Sequence, residues 1–171
     1  MSVLDVIKAR RSVRAYRNQP LPEAVFLRVM EAARLAPSGK NLQPWKFILV
    51  RDPETKLQLA EASRGQLFIA EAPVIIVACG YPERCYQRQG NYMKSWPLDV
   101  TIAVDHLMLQ AQEEGLGTCW IGAFDEAAVK QILDIPAGVK VLALTPLGYP
   151  NESPPDRGRK SLEAIVSEEK Y

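Results

Sequence analysis

The chain has 171 residues, 47% of them apolar and 24% charged, with a net charge of +1. That is one domain's worth of chain with enough apolar material for a substantial core. It lacks the cationic excess behind bulk nucleic-acid binding.

In chain order, the opening Met1-Ser2-Val3-Leu4-Asp5 carries no apolar signal core, and no apolar run reaches spanning length. A cytoplasmic protein is therefore expected, without membrane or nucleic-acid partners. Ser2 is placed to cap a first helix to about Ala9, with Asp5 in its first turn and Val3, Val6 and Ile7 as its apolar face. Arg10-Arg11-Ser12-Val13-Arg14 follows, then the turn Arg17-Asn18-Gln19-Pro20. Cations are stabilised at a helix C-terminus, and guanidinium forks beside a hydroxyl also suit a phosphate. On this stretch alone both readings stand.

Pro22 sits at a favoured first-turn position of a second helix, supported to about Leu35 by Val25, Leu27, Val29, Met30 and Ala33. Pro37 ends that helix. Ser38, Gly39 and Asn41 supply turn chemistry, and with Lys40 and Gln43 they crowd hydrogen-bonding groups before a strand at Trp45 to Val50. Such a turn serves equally as a plain connector or as a grip on the edge of a polar ring. Asp52-Pro53-Glu54-Thr55 starts a third helix, which Gly65 breaks; Phe68 to Ala72 forms a short helix or turn. Val74 to Ala78 is the clearest buried strand.

Gly80 to Pro97 is polar and aromatic with little hydrophobic period, and reads as a mobile wall over a pocket. Leu98 to Glu114 is apolar nearly all round, so this helix is central or shared across a dimer. Thr118 to Phe124 reads as a short strand running into a glycine turn at Gly122, and Gly122 and Ala123 would let a flat ligand approach closely. Asp125 caps a helix to about Leu133, and Val139 to Leu147 is a further strand. The tail holds a second basic knot, Arg157 to Lys160, with Leu162, Ile165 and Val166 as apolar anchors.

Cys79, Cys85 and Cys119 lack metal-ligand spacing and read as reduced thiols. His106 is the only histidine and sits mid-helix, packed or interfacial. Any chemistry therefore points to an organic cofactor, with no metal.

The two basic knots, the amide-and-hydroxyl turn and the glycine turn together make a phosphate-plus-ring site. Arg10 to Arg14, Ala36 to Trp45, Gly115-Leu116-Gly117-Thr118-Cys119-Trp120-Ile121-Gly122 and Arg157 to Lys160 occur in the same order in the FMN-dependent nitroreductase family, which the chain resembles nearly end to end. The resemblance implies a single nitroreductase-like domain over residues 1–171. Its fold would be an α+β three-layer sandwich, a mixed central sheet flanked by helices, in an intertwined homodimer with FMN at the interface. Arg10, Arg11 and Ser12 would meet the phosphate and ribityl end, closed by Arg157 or Arg159. Arg14 would lie at the pyrimidine edge, where a fixed cation favours the reduced ring. Pro37, Ser38, Asn41 and Gln43 would come from the partner, and Ile121, Gly122 and Ala123 would lie along the ring.

The resemblance further implies a two-stage, ping-pong cycle. NADH or NADPH reduces the flavin and leaves, and a small-molecule electron acceptor takes its place: a nitroaromatic, quinone or similar conjugated compound. No catalytic acid or base is needed. Longer members cover the site with extra helices; here Gly80 to Pro97 would serve, with Tyr86, Tyr92 or Trp96 meeting substrate. Reductive dehalogenation, oxygen-dependent flavin chemistry and a non-catalytic flavin-binding module are the competing readings.

Overall fold

The computed structural model describes residues 2–171. In chain order the elements are α1 (Val3–Ala9), α2 (Glu23–Arg34), β1 (Trp45–Val50), α3 (Pro53–Ala62), β2 (Val74–Gly80), α4 (Trp96–Glu113), β3 (Gly117–Thr118), α5 (Glu126–Ile132) and β4 (Lys140–Gly148). Short 3₁₀ turns occupy Gly39–Asn41 and Leu67–Ala70.

Local chemistry sets the helix starts. Ser2 and Asp5 form a reciprocal capping box on α1, Asp52 caps α3 through the Thr55 amide, and Asp125 caps α5 through the Ala128 amide. Pro22 is the N-cap of α2 rather than its first helical residue.

The sheet runs β1-β2-β4-β3, with all three strand pairs antiparallel. The only parallel pairing among the described residues is the one-residue bridge between Ser12 and Thr118, so the mixed character expected of the sheet reduces to that bridge. β2 organises the packing because it is buried along its whole length. Val74, Ile76 and Ala78 face one core with Phe26, Val29 and Ala33 of α2 and Val100, Val104 and Leu107 of α4. Ile75, Val77 and Cys79 face the other, with Leu59 of α3, Ile69 and Val129 of α5. Period-2 alternation thus produces three layers from one strand.

Several expectations change. The expected strand from Thr118 to Phe124 stops after Gly117–Thr118 and touches the sheet again only at Ile121, opposite Leu144. α4 begins at Trp96, so the long loop is shorter than expected. Val3, Ile7, Leu27 and Leu35 are exposed, leaving Val6 as the buried residue of α1. Leu162, Ile165 and Val166 are exposed too and do not anchor the tail within the chain. No helix among the described residues is long and apolar enough to cross a membrane.

Candidate functional site

The two basic knots meet because of backbone pairing. Residues 12–17 form an arm stitched to the far end of the sheet. The Val13 amide donates to the Thr118 carbonyl at 2.9 Å, the Arg17 amide to the Tyr149 carbonyl at 2.9 Å, and the Asn151 amide to the Ala15 carbonyl at 2.9 Å. Tyr16 lies opposite Pro150 in antiparallel register. Two steps back along the arm and two forward along the tail bring Arg14 to Glu152, whose carboxylate accepts the Arg14 amide. Further along, Arg11 Nη2 donates to Asp156 Oδ2 at 3.0 Å. Gly117 permits this approach, since a Cβ there would lie 2.9 Å from Val13 Cβ. The Tyr16 hydroxyl pins the arm by donating to the Val13 carbonyl at 2.7 Å, and burial holds its pKa far above the ordinary phenol value.

Arg10, Arg11, Ser12 and Arg14 from the N-terminal side line one cavity of about 160 Å³ with Arg157 and Arg159 from the tail. Both tail arginines face it. Asp156 also lines the cavity, and its pKa lies below the usual carboxylate range because it accepts the Gly158 amide and sits by Arg11. Five guanidiniums and one hydroxyl around a small opening form a donor set suited to a phosphate monoester.

Arg10 and Ser12 also border a neighbouring cleft of about 460 Å³, walled by Thr101, Ile102, Asp105, His106 and Met108 of α4 and by Trp120. Trp120 is 37% exposed, at a position that the sequence alone reads as part of a short strand. Gly122 and Ala123 are exposed and line neither cavity. Ile121 is not exposed. Its side chain is buried in the second core and its backbone exchanges hydrogen bonds with Leu144, so only its flanking residues are presented. Burial pushes the Cys119 thiol up, against the pull of Arg14, Ser12 and Arg10.

The turn at 37–43 lines neither cavity. Lys40, Asn41 and Gln43 all have left-handed backbone, with φ of 52°, 56° and 48°. Such residues cost roughly 1–3 kcal/mol each and persist where surroundings over-determine them. Here the Gln43 amide donates to Ser38 Oγ at 2.9 Å, the Gln43 side chain to the Asn41 carbonyl at 3.1 Å, and the Gly39 amide to Asp99 Oδ1 at 2.9 Å. Ser38 and Gln43 therefore hold the turn's own shape. Pro37 and Asn41 are exposed.

Of the three aromatic residues expected at the wall, Tyr92 is 83% exposed. Tyr86 is half-buried; Gly39 approaches it so closely that a Cβ on Gly39 would lie 2.9 Å from Tyr86 Cβ. Trp96 opens α4, is half-buried, and packs against Gly80 and the first core. The base of the wall is fastened, with the Ser95 amide donating to the Tyr86 carbonyl at 2.8 Å.

A larger cleft of about 790 Å³ follows the outer edge of β1, lined by Lys46, Ile48, Tyr81, Arg84 and Pro136 among others. It contains none of the convergent cations and is not the candidate site.

Comparison with known proteins bears on this arrangement. The profile described as "Nitroreductase family" matches residues 7–72 and 64–149. The chain is 34% identical to a Thermus thermophilus protein named "NADH dehydrogenase", covering 97% of each. It is 29% identical to "FMN reductase [NAD(P)H]" of Bacillus subtilis, covering 98% of this chain and 74% of that one. A crystal structure of a nitroreductase family protein from Clostridium difficile 630 superimposes with a TM-score of 0.91 at 28% identity, covering 100% of both chains.

Proposed function

The chain belongs to the nitroreductase family, and from that premise we propose that it is an FMN-dependent NAD(P)H oxidoreductase. Its acceptor would be a nitroaromatic, a quinone or a similar conjugated compound. The observation that carries the proposal is the convergence of Arg10, Arg11, Ser12 and Arg14 with Arg157 and Arg159 on one small cavity. The FMN phosphate fits this donor set, and the name of the B. subtilis relative supports the same cofactor.

Bound FMN would supply a ring that accepts hydride from NADH or NADPH and returns electrons to an acceptor. Arg10, Arg11, Ser12, Arg157 and Arg159 would hold its anionic tail. Arg14, exposed beside the cavity, would offer a fixed cation to the pyrimidine edge. Gly122 and Ala123 would leave room against one ring face. Donor and acceptor would use one open slot in turn, a ping-pong order in which stacking and orientation matter more than a side-chain acid or base. Tyr92, the most exposed of the three wall aromatics, would meet a substrate first. A cytoplasmic setting, where NADH and NADPH are at hand, accords with this use.

The working unit would be a homodimer. The turn at 37–43 is absent from the cavities of its own chain and is free to grip a ring held by a second copy. Val3, Leu4, Ile7, Leu42, Leu98 and Ile102 are exposed apolar side chains awaiting cover.

Purified protein should be yellow and should bleach under anaerobic NADH or NADPH. A colourless protein that takes up no added FMN overturns the proposal. A yellow protein that fails to bleach indicates a flavin-binding module. Turnover of halogenated phenols without reduction of nitro compounds or quinones would reassign the acceptor.

A further inference from the structure

Asp99 lies in the first turn of α4 and is 3% exposed, the one buried carboxylate among the described residues. Its oxygens are divided. Oδ1 accepts the Gly39 amide at 2.9 Å, from a residue 60 positions away. Oδ2 accepts the Ser95 hydroxyl at 2.6 Å. Ser95 Oγ in turn accepts the Tyr86 amide at 3.1 Å, and the Ser95 amide donates to the Tyr86 carbonyl at 2.8 Å. One buried carboxylate thus joins three elements: the helix α4, the turn at 37–43 and the wall at 81–95. The turn and the wall also touch directly, with Lys40 Nζ 5.3 Å from the centre of the Tyr86 ring.

Capping α4 does not account for this. A helix start is satisfied by an exposed serine or aspartate, as at Ser2 and Asp52. Burying a carboxylate is unfavourable unless its hydrogen bonds are complete. The α4 N-terminus offsets part of that cost, and the neutral donors Gly39 and Ser95 complete the shell. The gain is geometric. Ser38 and Gln43 hold the turn from within, and Asp99 adds a tie from Gly39 through Ser95 to the loop at 81–95.

We propose that Asp99 is a positioning residue that makes the ring-gripping turn and the acceptor wall one body. The inference rests on the proposed function, in which that turn holds FMN. Disturbing the carboxylate then alters cofactor grip and acceptor fit together, whereas disturbing Ser95 alters mainly the wall.

The test uses the full chain, with Asp99→Ala, Asp99→Asn and Ser95→Ala compared by residue-resolved amide exchange without flavin, FMN titration, and steady-state kinetics with 1,4-benzoquinone. In Asp99→Ala the Gly39 and Tyr86 amides should exchange at least about tenfold faster, the FMN Kd should rise roughly tenfold, and the quinone KM should rise. Asp99→Asn keeps an acceptor for Gly39 and should recover most of the lost FMN affinity. Ser95→Ala should speed exchange at Tyr86 and raise KM, with a smaller change in FMN Kd. If Asp99→Ala does not fold, the other two variants decide. Unchanged exchange at Gly39 and Tyr86 overturns the clamp; faster exchange with unchanged Kd and KM overturns the positioning role. Wild-type protein that takes up no FMN overturns the cofactor reading and this role with it, while exchange still reports whether the clamp exists.

Discussion

The Arg11 guanidinium donates to the Asp156 carboxylate at 3.0 Å across 145 positions of sequence. That contact marks where the two ends of the chain meet, and it places an acid inside a cavity lined by five arginines. The same carboxylate accepts the Gly158 amide at 2.8 Å, which bends the tail so that Arg157 and Arg159 face the cavity. With FMN bound as proposed, Asp156 would have two effects of opposite sign, aiming the tail and repelling the phosphate.

Asp156→Asn separates these effects. The amide oxygen can still accept from Gly158 while the charge is gone. FMN affinity should rise about threefold to tenfold at low ionic strength, and the gain should shrink as salt screens the site. Titrations at two salt concentrations would check this. Weaker binding would mean that Arg11 needs its carboxylate partner more than the phosphate needs relief.

Arg10→Ala should weaken FMN binding by roughly 1.5–3 kcal/mol, the range for one charged hydrogen bond. Arg10 is the one arginine that borders both the cavity and the adjoining cleft. Fluorescence titration of flavin-stripped protein would measure the loss, and full retention of flavin would place the phosphate elsewhere.

Much of this was legible in the chain because it was local. The capping residues Ser2, Asp52 and Asp125 announced their helices, and the run from Val74 announced the central strand. The two basic knots were visible as clusters, but their meeting depends on the pairing of Tyr16 with Pro150, which no local pattern encodes. Nothing local distinguishes Asp99 within its helix; its meaning lies with Gly39 and Ser95. Trp96 looked like a loop aromatic because Pro97 masked the start of α4, although proline at the second helical position is well tolerated. Ile121 matched a family motif, while its side chain answers to the core behind it.

Gly39→Ala should destabilise the protein by about 1–3 kcal/mol, as overpacking does. The new methyl would lie 2.9 Å from Tyr86 Cβ and 3.2 Å from Ser95 Oγ, so the turn and the wall would have to part. Thermal unfolding of flavin-free protein would show the loss. An unchanged melting temperature would mean that the loop yields freely.

Cys79 gives a pH dependence with a definite sign. Burial pushes its thiol up to about 11, from an ordinary value of 9.0. The unfolded chain therefore releases this proton first. The contribution is present in full below about pH 9 and is lost as pH rises towards 11, worth about 2–3 kcal/mol from a two-unit difference. Cys79→Ala should be less stable near neutrality from lost packing, yet its stability should fall less steeply between pH 9 and 10. Parallel curves for the two proteins would show that the thiol does not drive the decline.

The outer edge of β1 has a further consequence for handling the protein. Among the described residues only its inner side is paired, with β2, so Trp45 to Val50 presents backbone groups along a largely apolar ribbon. An edge of this kind recruits strands indiscriminately unless something shields it. Left uncovered, this edge should favour aggregation, and precipitation on storage would be its early sign.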